Sequence, residues 1–250
     1  MSMKVAFERF VTDLGFAVPN AFTDMPAPDF GGRFFEFARR NGYDIAATET
    51  LVFRHLGIKV YEVVDVGVHD GTPWLYQSFP DAKFLLVEPQ RDLQDRLKSR
   101  PTHFECLNVA VGPEAGRLTL QARNERSSFL DRTEAAATPA DVSYEVEVMT
   151  LDRILQDRTT ADQVGLKIDI EGYEHFALQG LTSELGRIAF VSMEVSVRQR
   201  FKGEKTFSDI VSIMNDKGFL FYNLMNVVRP APPNAYDVLF LPKDSPKFRT

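Results

Sequence analysis

The chain has 250 residues, 44% hydrophobic and 26% charged, which suits one soluble globular domain with a full core and room for an appendage. Its net charge of -6 argues against a nucleic-acid partner, and its single cysteine, Cys106, excludes an internal disulfide. No apolar run reaches the ~18 residues that span a bilayer, and MSMKVAFERF lacks the long apolar core of a signal peptide, so a cytoplasmic location is expected.

Val5, Phe7, Phe10, Val11 and Leu14 recur at helical spacing and predict a short amphipathic helix. Pro19, Pro26, Pro28 and Gly31-Gly32 then break regular structure. A second short helix is expected over 34–38, closed by Asn41-Gly42, and a third over 44–56. Residues 1–59 thus read as a helical extension ahead of a domain over 60–250. A cap over the sheet edge or over a ligand mouth, or packing alone, fits this extension. The aromatic cluster Phe30, Phe34, Phe35 and Phe37 reads as core.

Residues 60–90, VYEVVDVGVHDGTPWLYQSFPDAKFLLVEPQ, organise the rest of the chain. A short β-branched run over 61–66 predicts a buried parallel strand. A turn with Gly67 and Gly71 comes next, then Thr72-Pro73 as helix N-cap and first helical position. A second buried strand, 84–87, ends in Glu88. Such a β-α-β unit leaves a ligand crevice at the carboxyl ends of its strands, where a terminal carboxylate can accept both hydroxyls of a ribose. A dinucleotide fingerprint would need a third close glycine. Here it is missing, and Asp65 and Asp70 would set negative charge beside any phosphate. A cationic cofactor without phosphate fits better. The Asp65-x-Gly67-x-x-x-Gly71 pattern resembles motif I of class I S-adenosylmethionine methyltransferases.

A helix is expected over 92–98 and a third strand over 104–111, with Cys106 as a buried thiol rather than a nucleophile. Asn108, near the end of that strand, could reach an adenine edge or a backbone amide. Leu118, Leu120 and Ala122 alternate with polar residues, and Val142, Tyr144, Val146 and Val148 answer them, so a β-hairpin is inserted between the third and fourth parallel strands. Between them lie a polar loop, 123–129, and a low-complexity stretch, 133–140. A helix begins at Asp152. The strand over 164–168 runs into Asp169, Glu171 and Gly172, and a helix then opens with Glu174 and His175. Three carboxylates and a histidine thus crowd the carboxyl end of a strand, although capping and the helix dipole also favour charge there. A fifth strand over 188–195, a helix over 207–217, a sixth strand over 219–224 and a seventh over 236–241 complete the chain. The last two are joined too closely for a crossover helix, so one is antiparallel.

The ordered set DVGVHDG, VEP, Ser127-Ser128, TLD, LKIDIEGYEHFALQG and MEV resembles the FkbM-type family of S-adenosylmethionine methyltransferases over roughly 60–241. The resemblance implies an α/β, Rossmann-like class I methyltransferase fold. That fold has a seven-stranded, mostly parallel sheet with one antiparallel strand and helices on both faces. It also implies S-adenosyl-L-methionine as cofactor and O-methylation of a sugar, glycan or natural-product hydroxyl, with N-methylation of a peptide or amide as the alternative. The usual turn has Asn where this chain has His69; the change keeps a hydrogen-bonding side chain but makes it titratable.

Each candidate residue then takes an expected role. Gly67 and Gly71 would give space to the methionine part, Asp65 would meet its ammonium, and Glu88 would hold the ribose. Asn108 would flank the adenine, and Asp169 would lie near the sulfonium. His69, in the cofactor turn, would contribute to both cofactor binding and catalysis. An alcohol must lose its proton during methylation, and the candidate bases are His69, His175, Asp169 and Glu171. The oxygen-rich set Asp169, Glu171 and Glu194 would suit Mg²⁺, but no fixed-spacing metal motif supports it, so no metal is assigned. Two other classes stand behind this one. A nucleotide-dependent oxidoreductase is disfavoured by the missing glycine. A non-catalytic module of the same fold is disfavoured by intact Asp65, Gly67, Gly71 and Glu88.

Overall fold

Short β-branched and aromatic runs form the sheet in a computed structural model that describes residues 48–122, 127–133, 142–225 and 234–249. The helices expected at 5–14 and 34–38, the cluster at Phe30–Phe37 and most of 133–140 lie outside the described residues. Helix α1 (Thr48–Leu56) precedes strand β1 (Glu62–Val66). Then come α2 (Pro73–Ser78), β2 (Lys83–Val87), α3 (Leu93–Arg96) and β3 (His103–Leu107). An inserted section holds β4 (Ala110–Val111), β5 (Gly116–Ala122) and β6 (Val142–Met149). The chain continues with α4 (Leu151–Arg158), β7 (Val164–Ile168), α5 (Glu174–Gln179) and β8 (Ile188–Ser196). It closes with α6 (Phe207–Asp216), β9 (Phe219–Leu224) and β10 (Ala235–Pro242).

Seven strands pair in the order β3-β2-β1-β7-β8-β10-β9. All contacts from β3 to β8 are parallel, and β10 is antiparallel to both of its neighbours. The strand order reverses direction at β1 and β7, which opens a crevice at their carboxyl ends. Burial explains why these strands read as apolar runs rather than alternations: β7 is buried at every position. Val64, Val66, Leu166, Ile168 and Val191 face one layer with Ile154, Leu155, Leu178 and Met214. Val63, Phe84, Leu86 and Phe190 face the other with Leu75, Tyr76 and Phe53 of α1. Phe53 stacks on Trp74 at 6.1 Å between ring centres and packs against Phe79 and Phe190.

The inserted strands form a second sheet, β4-β6-β5, in which β5 and β6 are the expected antiparallel hairpin. β4 joins β6 in parallel, so the hairpin gains a third strand. This corrects the single strand expected over 104–111. The chain leaves the large sheet after Leu107 because the Asn108 amide donates to the carbonyls of Glu88 and Gln90, both at 2.7 Å. Those bonds take the place of ladder pairing and turn Ala110–Val111 toward the smaller sheet.

Candidate active site

The crevice is a cleft of about 370 Å³ between the turn after β1, the ends of β2, β7 and β8, and the inserted section. Its floor is built by close backbone approach. Gly67 has φ +81°, and a Cβ there would lie 1.7 Å from the carbonyl oxygen of Asp169. The ladder continues at this point: Gly67 N–H donates to Val87 O and Asp169 N–H to Val66 O. Gly71 has φ +118°, and its Cβ would lie 2.5 Å from Ser99 O. Both glycines therefore make room for neighbouring protein backbone as well as lining the cleft.

His69 between them is also left-handed, at φ +52°. Histidine and asparagine are enriched in that region, so the backbone itself accounts for either residue at this position. Its N–H donates to Glu88 Oε2 at 3.0 Å, and Gln90 N–H donates to Oε1 at 3.0 Å. The buried Glu88 carboxylate is thus fixed at the tip of β2, facing the cleft with lone pairs to spare. The His69 ring lies 3.3 Å from Asp70, which Lys98 also contacts at 2.7 Å. The Lys98 hydrogen bond, opposed by partial burial and helped by His69, holds the Asp70 carboxyl below its usual range.

Asp65 and Lys167 face each other in register on adjacent strands. Period-2 alternation puts both on the same side of the sheet. The buried Asp65 carboxylate accepts from Tyr76 Oη at 3.1 Å and lies 3.4 Å from Lys167 Nζ. The same ammonium donates to Gly67 O at 3.1 Å and lies 3.4 Å from Asp169 Oδ2. Burial alone would favour a neutral amine, but Asp65, Asp169 and Asp237 outweigh it and keep Lys167 charged.

On the far wall the segment after β7 turns back through Glu171, left-handed at φ +51°. Glu171 and Glu194, at the end of β8, share Arg200, with contacts of 3.3 and 3.0 Å. Asp237 of β10 pairs with Glu194 across the strands. Burial, then the charge of Asp169, push Glu194 up to about 7; Arg200 opposes the shift, while Glu171 and Asp237 add to it. Ser128, buried in the inserted section, donates to Glu171 O at 2.8 Å. Leu120, Ser127 and Phe129 complete this wall.

Of the expected site residues, Gly67, His69, Gly71, Glu88, Asp169 and Glu171 line the cleft together. Three are not among its lining residues. Asp65 lies beneath it, taken up by Tyr76 and Lys167. Asn108 spends its amide on the 88–90 turn, which is the backbone alternative rather than the adenine edge. His175 is buried against Phe176 with Nδ1 unbonded, and burial lowers its basicity, so it corrects the expectation of a solvated or catalytic residue. Lys167, Glu194, Asp237 and Arg200 had no assigned catalytic or cofactor role. Lys167 and Asp237 were visible as charges inside apolar runs, and such buried charges need partners. Arg200 lies in irregular chain after β8 and carries no such signal. Among the described residues no group of three or more His, Cys, Asp or Glu could hold a metal ion. No described helix is long and apolar enough to cross a membrane.

The strand order, the glycine turn and the carboxylate at the tip of β2 define a class I methyltransferase fold. The family described as Methyltransferase FkbM domain matches residues 65–221, so the chain belongs to that family and is an S-adenosylmethionine-dependent methyltransferase. A search of curated proteins gives no match. Solved structures similar to the chain include a TehB-like SAM-dependent methyltransferase from Corynebacterium glutamicum: 12% identity, 86% of this chain, 98% of that one, TM-score 0.43. Another is a Burkholderia thailandensis 1,6-didemethyltoxoflavin-N1-methyltransferase: 12% identity, 92% and 94% covered, TM-score 0.43. A third is the magnesium protoporphyrin IX methyltransferase of Synechocystis: 11% identity, 95% and 91% covered, TM-score 0.42. At these scores the fold assignment rests on the strand order.

Proposed function

We propose that the chain O-methylates a hydroxyl of an uncharged sugar, glycan or natural product, using a domain over 60–250 with residues 1–59 as a helical extension. One observation carries the reading, the charge of the cleft. Asp70, Glu88, Asp169, Glu171, Glu194 and Asp237 line it, against Lys167. Such a lining attracts cations and repels phosphates and carboxylates. It therefore suits a cofactor that carries a sulfonium and an ammonium and no phosphate, and an acceptor without negative charge. When bound, S-adenosylmethionine supplies an electrophilic methyl group.

The chain's own residues would do the rest. Glu88, with both oxygens already oriented by His69 N–H and Gln90 N–H, would accept from the ribose hydroxyls. The turn from Gly67 through His69 to Gly71 would bound the methionine part. Asp65 would act through Lys167, and Asn108 through the 88–90 turn that borders the adenine. Asp169, Glu171 and His69 remain near enough to the cleft to meet the acceptor. Positioning the two reactants accounts for most of the rate in such an in-line displacement.

The test is titration with S-adenosylhomocysteine, monitored by calorimetry and by fluorescence of Trp74, which lines the cleft. Micromolar binding that Glu88→Ala loses by at least tenfold, with the fold intact by circular dichroism, supports the cofactor site. Labelled methyl transfer to neutral sugars and alcohols, and none to their phosphorylated forms, supports the acceptor class. Absence of binding by wild type would overturn the reading.

A further inference from the structure

We infer that Glu194 is the group that receives the acceptor's proton, and that a positive charge entering the cleft is what frees it to do so. The inference rests on the methyltransferase reading and adds a residue that sequence patterns did not single out as a base. Glu194 sits at the carboxyl end of β8 and lines the cleft between the cofactor turn and the inserted wall. Every neighbouring element turns a charge toward it. Asp169 and Glu171 come from the segment after β7, Asp237 from β10, and Arg200 from the segment after β8. Three of these four are carboxylates, and the one cation, Arg200, is shared with Glu171 and lies 3.8 Å from Glu204.

That balance, with burial, pushes the Glu194 carboxyl well above the usual carboxylate range. The other cleft carboxylates have different partners: Asp169 has Lys167 at 3.4 Å, Asp70 has Lys98 at 2.7 Å, and Glu88 has two backbone N–H groups, whereas Glu194 divides Arg200, 3.0 Å away, with Glu171 and Glu204. A sulfonium in the same cleft adds a unit of positive charge and favours the ionised form. Glu194 then gives up its proton as the cofactor binds. In the transfer, the acceptor oxygen uses an electron pair to form the new bond to the methyl carbon. The carbon–sulfur pair stays on sulfur, and the hydroxyl proton passes to a Glu194 carboxylate oxygen. Sulfur is then neutral, which restores the conditions under which Glu194 holds a proton. One positive charge is lost from the cofactor and one proton is gained by the protein, so the site keeps its net charge through the step.

The experiment needs no known acceptor. The full chain is titrated at pH 7 with S-adenosylmethionine and with S-adenosylhomocysteine in two buffers of different ionisation enthalpy, which reads protons released per ligand bound. The expected result is greater proton release with the sulfonium ligand than with the thioether, and loss of that difference in Glu194→Gln. Glu194→Gln should still bind S-adenosylhomocysteine within about threefold of wild type. Equal proton release by the two ligands on the wild-type chain overturns the proposal whatever the variant does. A difference that survives in Glu194→Gln overturns it too, and assigns the proton to another group. Failure of both ligands to bind wild type would instead bring down the methyltransferase site itself.

Discussion

A β-carbon at position 67 would meet the carbonyl of Asp169 at 1.7 Å on a backbone with φ +81°. Neither partner can yield, because Asp169 N–H is held by Val66 O. Gly67→Ala should therefore cost about 3 kcal/mol or more, from strain plus overpacking, and should be read as a lowered Tm with lost S-adenosylhomocysteine binding. A variant with unchanged Tm would show that this turn relaxes easily. The neighbouring Lys167 illustrates the opposite constraint. Its ammonium is the cation beside both Asp65 and Asp169, so it sets the charge at the floor of the cleft that it helps to line. The LKID run made Asp169 readable, since a carboxylate between two isoleucines invites a functional reading. It did not reveal that the lysine two residues earlier occupies Asp65. Register between β1 and β7 makes that pairing, and register is a property of two distant segments.

At the scale of elements, local signals and long-range pairing divide in the same way. α4 starts one residue before the expected Asp152, at Leu151, with the Thr150 hydroxyl capping it by accepting from Arg153 N–H at 3.2 Å. α6 carries a capping box between Thr206 and Asp209. β9 occupies the residues that its apolar run marks. Legibility ends at residues 104–111, where one strand-like run, interrupted only by Glu105 and Asn108, hides a change of sheet. The deciding bonds run from Asn108 to carbonyls in another loop, and no periodicity encodes them. Asp152 is a second long-range fastener. Its carboxylate accepts the backbone N–H groups of Thr182, Ser183 and Glu184 and the Thr182 hydroxyl at 2.6 Å. Burial pushes this carboxyl up, but those bonds outweigh it and hold it below its usual range. Asp152→Ala should cost about 1–3 kcal/mol, measured by urea denaturation, because three turn N–H groups lose their acceptor. An unchanged midpoint would mean that water replaces the carboxylate at no cost.

At the scale of the whole fold, two carboxyls among the described residues are pushed well above the usual carboxylate range. Burial, eased by backbone N–H groups but reinforced by the charge of Asp169, pushes Glu174 up to about 8, and Glu194 rises to about 7. A folded state with raised carboxyl pKa values binds more protons than the unfolded chain. Their contribution to stability is complete below the ordinary carboxylate range and falls as pH climbs toward 7 and 8. Thermal scans should therefore show Tm declining from pH 6 to pH 8.5. Glu174→Gln, which keeps an acceptor for Ile170 N–H and Gly172 N–H, should flatten part of that decline. A wild-type Tm that rises over this range would contradict the assignment.

The cleft is also a meeting of two sheets with separate origins in the chain. One side, where the cofactor is proposed to bind, is carried by β1, β2 and β7, whose positions are fixed by the main core. Leu120, Ser127 and Phe129 come from the inserted section, which holds to the rest through links such as Ser128 to Glu171 and Phe129 against Tyr173. On the proposed function that section would meet the acceptor, so sequence drift in it would alter which acceptors the cleft admits while leaving the methyl donor's half untouched. A scaffold arranged this way can acquire new acceptors without relearning its chemistry, as long as the serine that ties the two halves together is kept.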